Sequence, residues 1–419
     1  MARLLAYTTP GPGNIYPAVP LLLELRARGH ELRVLTRGSE VERLRVEGLD
    51  AVALDPAIQA IEVDDWRARS QVGASMRLLR AFAARASVEI EDLRRAIADF
   101  QPEGLLVDIN AQGAGYLAEA SGLPWAQYCP FPPAIRSADA PAYGLGLSPA
   151  RGPLGRARDR FMTSLSDRLL APQLAPLNEL RTALGLAAIE TYDEQFLKAD
   201  RLIVFTAEPY EYPRRDWPAH VRLVGPSAWG PPAAPPEWLQ AETRPIVLVT
   251  ASTERQRDDK LIAAALKGLA GEDVAVIATT GAQDPAAFAA PANARVERFL
   301  PHAPIIARAV CVVSHGGQGT TQKALAAGVP VCVVPFCRDQ FEVARRVEVA
   351  QAGVRLHHSR LTPRRLRHAV RRAVGKRAGA ERVARSFAAA GGASAAADAV
   401  EQTLSARADS AAAAIAAPS

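Results

Sequence analysis

Val310-Cys311-Val312-Val313-Ser314-His315-Gly316-Gly317-Gln318-Gly319-Thr320-Thr321-Gln322-Lys323-Ala324-Leu325-Ala326-Ala327-Gly328-Val329-Pro330 is the stretch whose reading decides the fold. The apolar run Val310–Val313 reads as a buried strand, the glycines after it as a tight turn, and the rest as a helix stopped by Gly328. Glycines at such a turn let the backbone approach a bulky anion, and the first helical amides, at the positive end of the helix dipole, form a phosphate site. Thr320 adds a hydroxyl donor, and His315 at the strand end can hydrogen-bond or partly neutralise the same charge. A turn whose glycines serve packing alone would carry the same pattern, so the glycines by themselves leave both readings open.

Outward from this stretch the same unit repeats. The second half opens with a strand over 246–249, then a helix over 260–269, a strand over 274–278 and a turn through Asp284-Pro285. The first half opens with a strand over 4–7, a Gly/Pro loop over 10–13, a helix over 18–28, Gly29, and a strand over 30–36. A long amphipathic helix over 76–100, a strand over 104–107 ending in Asp108, and a helix to Gly122 follow. Repeated strand–helix–strand units argue for parallel sheets covered by helices. Residues 141–155 hold Pro and Gly at loop density and read as an excursion suited to recognising a substrate. Between Pro209 and Pro245 the prolines at 213, 218, 226, 231, 232, 235 and 236 break all periodicity, which reads as a linker. The expected division is therefore an α/β unit over 1–212, a Pro-rich linker over 213–245, a second α/β unit over 246–387, a helix over 388–405 and a disordered tail over 406–419.

A chain of 419 residues with 49% hydrophobic and 22% charged residues is long enough for two cores and is globular rather than disordered. No stretch reaches the roughly 20 apolar residues a membrane helix needs, and the opening apolar run breaks at Pro10, too short for a signal-peptide core. A cytoplasmic protein is expected. The four cysteines, Cys129, Cys311, Cys332 and Cys337, lack zinc-site spacing and read as small buried hydrophobes. The net charge of +6 comes largely from arginines over 360–385, without the interleaved aromatics that single-stranded nucleic acid requires. A solvated helix face accounts for them, with weak peripheral attraction to an anionic membrane as the lesser reading. No nucleic-acid partner is expected.

With His315-Gly316-Gly317-Gln318-Gly319-Thr320, then 324–330 as Ala-Leu-Ala-Ala-Gly-Val-Pro, then Pro335-Phe336-Cys337-Arg338-Asp339-Gln340, the sequence resembles the UDP-glycosyltransferase superfamily (family 1 glycosyltransferases) of bacterial natural-product type. The match continues through 344–348 and Gly353, and the likeness extends more faintly over the whole chain, including the turn Gly13 to Pro17 and the loop before 220–226. The resemblance implies the GT-B fold, two Rossmann-like domains facing each other across a cleft, with a nucleotide-sugar donor on the second and an acceptor against the first. It implies that Phe299 lies against the nucleobase and His302 near the base edge. His315, Gly316, Gly317, Gly319 and Thr320 would hold the diphosphate, with Thr253 as a further donor. Asp339 and Gln340 would bind the sugar hydroxyls, since a carboxylate and an amide suit neighbouring hydroxyls. The implied reaction is an inverting hexosyl transfer from a UDP- or TDP-sugar to a small hydrophobic acceptor (polyketide, macrolide or phenolic) or a lipid. No acidic cluster has metal-binding spacing, so neither a metal nor another cofactor is expected.

Two positions depart from the family. Relatives carry a histidine base in Gly-His-x-x-Pro, whereas here the turn is Gly13-Asn14-Ile15-Tyr16-Pro17, and a carboxamide is no general base. The orienting carboxylate is retained as Asp108. Asp108 could serve as base directly or through water; an acidic phenol, carboxylate, amine or carbon nucleophile could need little activation; or the chain could bind a nucleotide sugar without transferring it. A nucleotide-sugar epimerase shares the fold and stands as a further alternative. Lys323 replaces the glutamate that many relatives place on the ribose hydroxyls, which opens the way to a deoxyribose donor.

Overall fold

The computed structural model describes residues 1–68, 70–227, 229–230, 234–252 and 258–416, with side chains described as far as Ala406. It contains two all-parallel sheets. The first is built from β1 (Arg3–Tyr7), β2 (Glu31–Thr36), β3 (Asp50–Ala53), β4 (Gly104–Asp108), β5 (Trp125–Cys129), β6 (Arg201–Val204) and β7 (Val221–Leu223), in the order β3-β2-β1-β4-β5-β6-β7. The second is built from β8 (Ile246–Thr250), β9 (Ala275–Thr279), β10 (Ala294–Glu297), β11 (Ala309–Ser314), β12 (Val331–Val333) and β13 (Gly353–Arg355), in the order β10-β9-β8-β11-β12-β13. Helices cover both faces, so the inner strands β1, β4, β5, β8 and β11 are near-continuous apolar runs.

The strand orders place the site. In each sheet the chain leaves a central strand in one direction and later crosses back to its other side, between β1 and β4 and between β8 and β11. Ligands of open parallel sheets bind beyond the strand ends at such a reversal. Asp108 closes β4, and Ser314-His315 closes β11.

Three segments differ from the expected layout. The first helix spans Pro12–Ala27 rather than beginning at residue 18, with Pro17 and Pro20 inside it. Pro12 suits the first helical position, because an amide there would lack a helical acceptor in any case. The Pro-dense stretch 213–245 contains β7, a proline-free run between Pro218 and Pro226 that pairs with β6 at the sheet edge. The last helix runs Gly392–Ala416, so the backbone stays helical through most of the stretch expected to be a disordered tail; alanine is the strongest helix former.

That last helix packs on the first sheet's half. Ala396, Ala397, Ala399 and Val400 join a core with Leu21, Leu22, Leu25 and Tyr128. Arg28 binds Asp398 at 2.6 Å and Glu401 at 2.8 Å, and His30 meets Glu401 at 3.1 Å, a structural use of that histidine. The halves also share buried charge: Glu211 accepts from Arg346 at 2.7 and 2.9 Å and from Arg214 at 3.0 Å. The arginine-rich stretch forms a helix, Pro363–Val374, that buries Leu366, Ala369, Val370 and Ala373 and turns its arginines outward. Among the described residues no helix is long and apolar enough to cross a membrane.

Candidate active site

On the first sheet the site centres on Asp108, which is fully buried. Its Oδ2 accepts from Thr9 Oγ1 at 2.6 Å and the Thr9 amide at 3.2 Å; its Oδ1 accepts from the Asn110 amide at 2.9 Å and Asn14 Nδ2 at 3.1 Å. Burial lifts the carboxyl above its ordinary range, and these hydrogen bonds pull the other way. Because the first helix starts at Pro12, Asn14 sits in its first turn, above the end of β4, and the two sequence-identified residues do meet. Asp108 has both oxygens engaged, so the polar group with capacity left to face an acceptor is the Asn14 carboxamide.

On the second sheet, Gly316 turns the chain at φ +100, where a side chain would also strike Val333 at 2.8 Å. Gly317 lies against His315: a methyl group there would come within 2.8 Å of Nε2. Gly319 differs, because a methyl group added there meets nothing within 4 Å. It opens the helix Gln318–Ala326, which has no side-chain cap at Gly317, and the first intrahelical acceptor is Gly317 O, taken by Thr321. The amides of Gln318, Gly319 and Thr320 therefore precede the helical hydrogen-bond ladder and have no acceptor within it. His315 is buried, which pushes its imidazole below the ordinary value, while Asp258 at 3.8 Å opposes the shift. It acts as a neutral ring at neutral pH, a hydrogen-bond partner rather than a fixed cation.

Around this loop stand the other expected contacts. Phe299 is 69% exposed, an aromatic face open to a planar ligand. His302 begins a short helix and meets Thr279 Oγ1 at 3.0 Å; burial, with help from Lys323, pushes its imidazole down to about 4. Lys323 is half-buried, and burial lowers its ammonium below the usual lysine value. Among the described residues no carboxylate pairs with it. Asp339 immediately precedes the helix Gln340–Val349 without a side-chain capping bond, and burial, with Glu342 adding and Arg338 opposing, raises its carboxyl to about 6. The Gln340 carbonyl oxygen accepts from the Phe336 and Cys337 amides at 2.8 and 3.1 Å, holding the loop that carries Asp339. Thr253 lies outside the described residues.

The two sheets' residues converge. Burial raises the Cys129 thiol, at the end of β5, and the carboxylates of Asp108, Glu211 and Asp339 add to it from both halves. Sequence reading missed several neighbours. Asp258 accepts from the Ser252 amide at 2.6 Å and faces His315, but an isolated Asp-Asp pair gives no signal of that. Glu89, on the long helix Gln71–Phe100, caps the Gly113 amide at 2.9 Å; burial pushes its carboxyl up to about 8, with Asp108 among the groups adding to the shift. Gly144 and Gly146, from the Pro/Gly excursion, donate their amides to Glu342 at 2.8 Å each, so that segment reaches the loop and helix that carry Asp339; burial, with Asp339 adding, raises the neighbouring Tyr143 phenol.

Comparison with known proteins agrees with this geometry. Residues 263–404 match the family described as "Erythromycin biosynthesis protein CIII-like, C-terminal domain". The chain is 35% identical over 387 residues to 4'-demethylrebeccamycin synthase of Lentzea aerocolonigenes, covering 88% of this chain and 91% of that protein. Among solved structures it resembles CalG4, the calicheamicin glycosyltransferase, with a TM-score of 0.76 at 22% identity, covering 97% and 98% of the two chains. It also resembles the glycosyltransferase VinC, solved in complex with DTDP, with a TM-score of 0.67 at 24% identity and 96% and 99% coverage. Paired parallel sheets with sites at both strand reversals and a relative matched over nearly its whole length place the chain in the family 1 glycosyltransferases of GT-B fold, the enzymes that transfer a sugar from a nucleotide-sugar donor.

Proposed function

We propose that this glycosyltransferase moves a hexose, with inversion, from a thymidine diphosphate donor to a small hydrophobic acceptor carrying an acidic hydroxyl or N–H group, of which a phenolic is the type. The observation that carries the reading is the pairing of the open space over Gly319 with the fully engaged Asp108 carboxylate beside Asn14. The first supports a diphosphate on the uncapped helix start, where the amides of Gly319 and Thr320 and the His315 ring would stabilise the charge that develops on the leaving group. Phe299 would cover the base. Asp339 would accept from the hexose hydroxyls, with Gln340 setting the loop. The second feature bears on the acceptor: Asn14 can accept a hydrogen bond but cannot take the proton, and Asp108 is held by Thr9, Asn14 and Asn110. An acceptor whose own proton is acidic needs only orientation, and attack from the side of the first sheet opposite the diphosphate inverts the anomeric centre.

Lys323 in place of a ribose-binding carboxylate supports a deoxyribose donor, because the carboxylate that would favour a ribose 2′-hydroxyl is missing from that position. The division of labour follows the two sheets, with acceptor recognition over 1–212 and donor recognition over 246–387. No metal or further cofactor enters this reading, which assigns the enzyme to the cytoplasm with peripheral membrane contact at most. Calorimetry and nucleotide release across TDP- and UDP-hexoses test it. Tight binding of a TDP-hexose with slow release, accelerated by a phenol but not by an aliphatic alcohol, is expected. Failure of every donor to bind a folded sample would overturn it.

A further inference from the structure

The motif that carries Asp339 is gripped from both sides by the other half of the molecule. Arg338, immediately before it, holds a left-handed backbone at φ +52, uncommon for a residue with a side chain and stable only where the surroundings fix it. Its guanidinium binds Asp65 through two parallel bonds, Nε to Oδ2 at 2.7 Å and Nη2 to Oδ1 at 2.8 Å, and its carbonyl accepts from Gln71 Nε2 at 3.0 Å. Asp65 is 2% exposed. On the far side, Glu342 Oε1 accepts from the amides of Gly144 and Gly146, both at 2.8 Å, while Gly146 O accepts from Arg345 at 2.8 Å and Arg355 at 2.9 Å. Gly146 sits at φ +57 so close that a methyl group there would lie 2.2 Å from Phe341 O.

Asp65, Gln71, Gly144 and Gly146 all belong to the half that carries β1–β7, whereas Arg338 to Glu342 lie between β12 and β13. A forked arginine–carboxylate contact fixes direction as well as distance. It sets the backbone from which the Asp339 carboxylate is presented. We propose that Asp65 is a positioning residue for the donor sugar, acting through Arg338 on Asp339, so that hexose selectivity is set jointly by the two halves of the enzyme. This rests on the reading of Asp339 as the hexose contact. It predicts that the nucleotide part of the donor is indifferent to Asp65 while the sugar part is not.

The experiment compares the unsubstituted protein with Asp65→Asn, Asp65→Glu and Asp339→Asn by calorimetry, using TDP, TDP-glucose and TDP-galactose and repeating with UDP, UDP-glucose and UDP-galactose. Asp65→Asn is expected to leave the affinity for the bare diphosphate unchanged within about twofold. It should weaken TDP-glucose about tenfold, the scale of one charge-assisted hydrogen bond, and narrow the glucose–galactose preference. Asp65→Glu, which keeps the charge, should recover part of the loss. Unchanged TDP-glucose affinity in Asp65→Asn, alongside a loss in Asp339→Asn, would overturn the proposal and leave the sugar contact standing. Equal losses for TDP and TDP-glucose would make Asp65 a fold-holding residue only and also overturn it. An Asp339→Asn protein that binds TDP-glucose normally would remove the underlying reading itself.

Discussion

Asn14 donates its carboxamide N–H to Asp108 Oδ1 at 3.1 Å, so the side chain that the Asp108 carboxylate orients toward the cleft is one that cannot carry away a proton. A histidine at this position could donate to the same oxygen and leave its second nitrogen free for an acceptor hydroxyl. Asn14→His is therefore expected to raise kcat with an aliphatic alcohol acceptor by at least tenfold, within the roughly 10²–10⁴-fold range of general-base catalysis. Nucleotide release measured with and without the alcohol checks it. No gain, with donor affinity intact, would mean that acceptor placement rather than proton removal limits the rate.

The two glycines of the turn separate fold from ligand. A methyl group on Gly317 would press on the His315 ring at 2.8 Å, whereas one on Gly319 meets no protein atom within 4 Å. Gly319→Ala should thus fold with an unchanged Tm and lose about tenfold or more in diphosphate affinity, since it fills the ligand's space. Gly317→Ala should lower both. Thermal melts paired with TDP titrations distinguish the two, and an unweakened Gly319→Ala would place the diphosphate elsewhere.

Asp339 gives the donor site a pH signature. With its carboxyl raised to about 6 by burial, it is protonated below that pH and accepts fewer hydrogen bonds from a sugar. Binding selects the ionised form, so TDP-hexose affinity should rise as pH increases from about 5 to 7 and then level off. The rise should disappear in Asp339→Asn. Bare TDP serves as the control, because its own titration sets the background slope against which the sugar's contribution is read.

The buried ion cluster between the halves should be costly to break. Burial pushes the Glu211 carboxyl up, and the guanidiniums of Arg346 and Arg214 more than reverse this, leaving it below the ordinary glutamate value. Its stabilisation is therefore fully present above the unfolded-state pKa and is lost as pH falls through the lower folded-state value. Glu211→Ala removes the carboxylate that Arg214 and Arg346 share, leaving Arg346 on Glu342 and Arg214 on the Ile135 carbonyl, and is expected to cost about 3 kcal/mol in urea unfolding at pH 7. A loss below 1 kcal/mol would show that Glu342, which binds Arg346 at 2.8 Å, suffices alone.

What could be read in the sequence was whatever is local in the chain. The strand–turn–helix over 310–330 shows itself through apolar periodicity and glycines, and β4 through a buried run ending in Asp108. The start of the first helix was hidden because Pro17 and Pro20 are ordinarily breakers, and β7 because prolines mask an edge strand. Contacts between distant segments left no trace at all. Nothing near Asp65 announces Arg338, and nothing near Gly144 announces Glu342, since each pairing depends on how one sheet's loops meet the other's. Gln340 shows the same limit from the other side: its place in a motif was visible, but the hold of its carbonyl oxygen on the Phe336 and Cys337 amides was not, because that depends on where the backbone turns.

The final helix has a consequence for how the molecule is made. Ala396, Ala397, Ala399 and Val400 complete a core whose other members, apart from the helix itself, lie between Leu4 and Val224. On a ribosome adding roughly 5–20 residues per second, the first sheet waits on the order of ten seconds or more for its last wall, with the apolar side of the first helix uncovered meanwhile. The nascent first half thus keeps apolar surface exposed through most of synthesis, and a chain cut before Gly392 would lack that cover altogether.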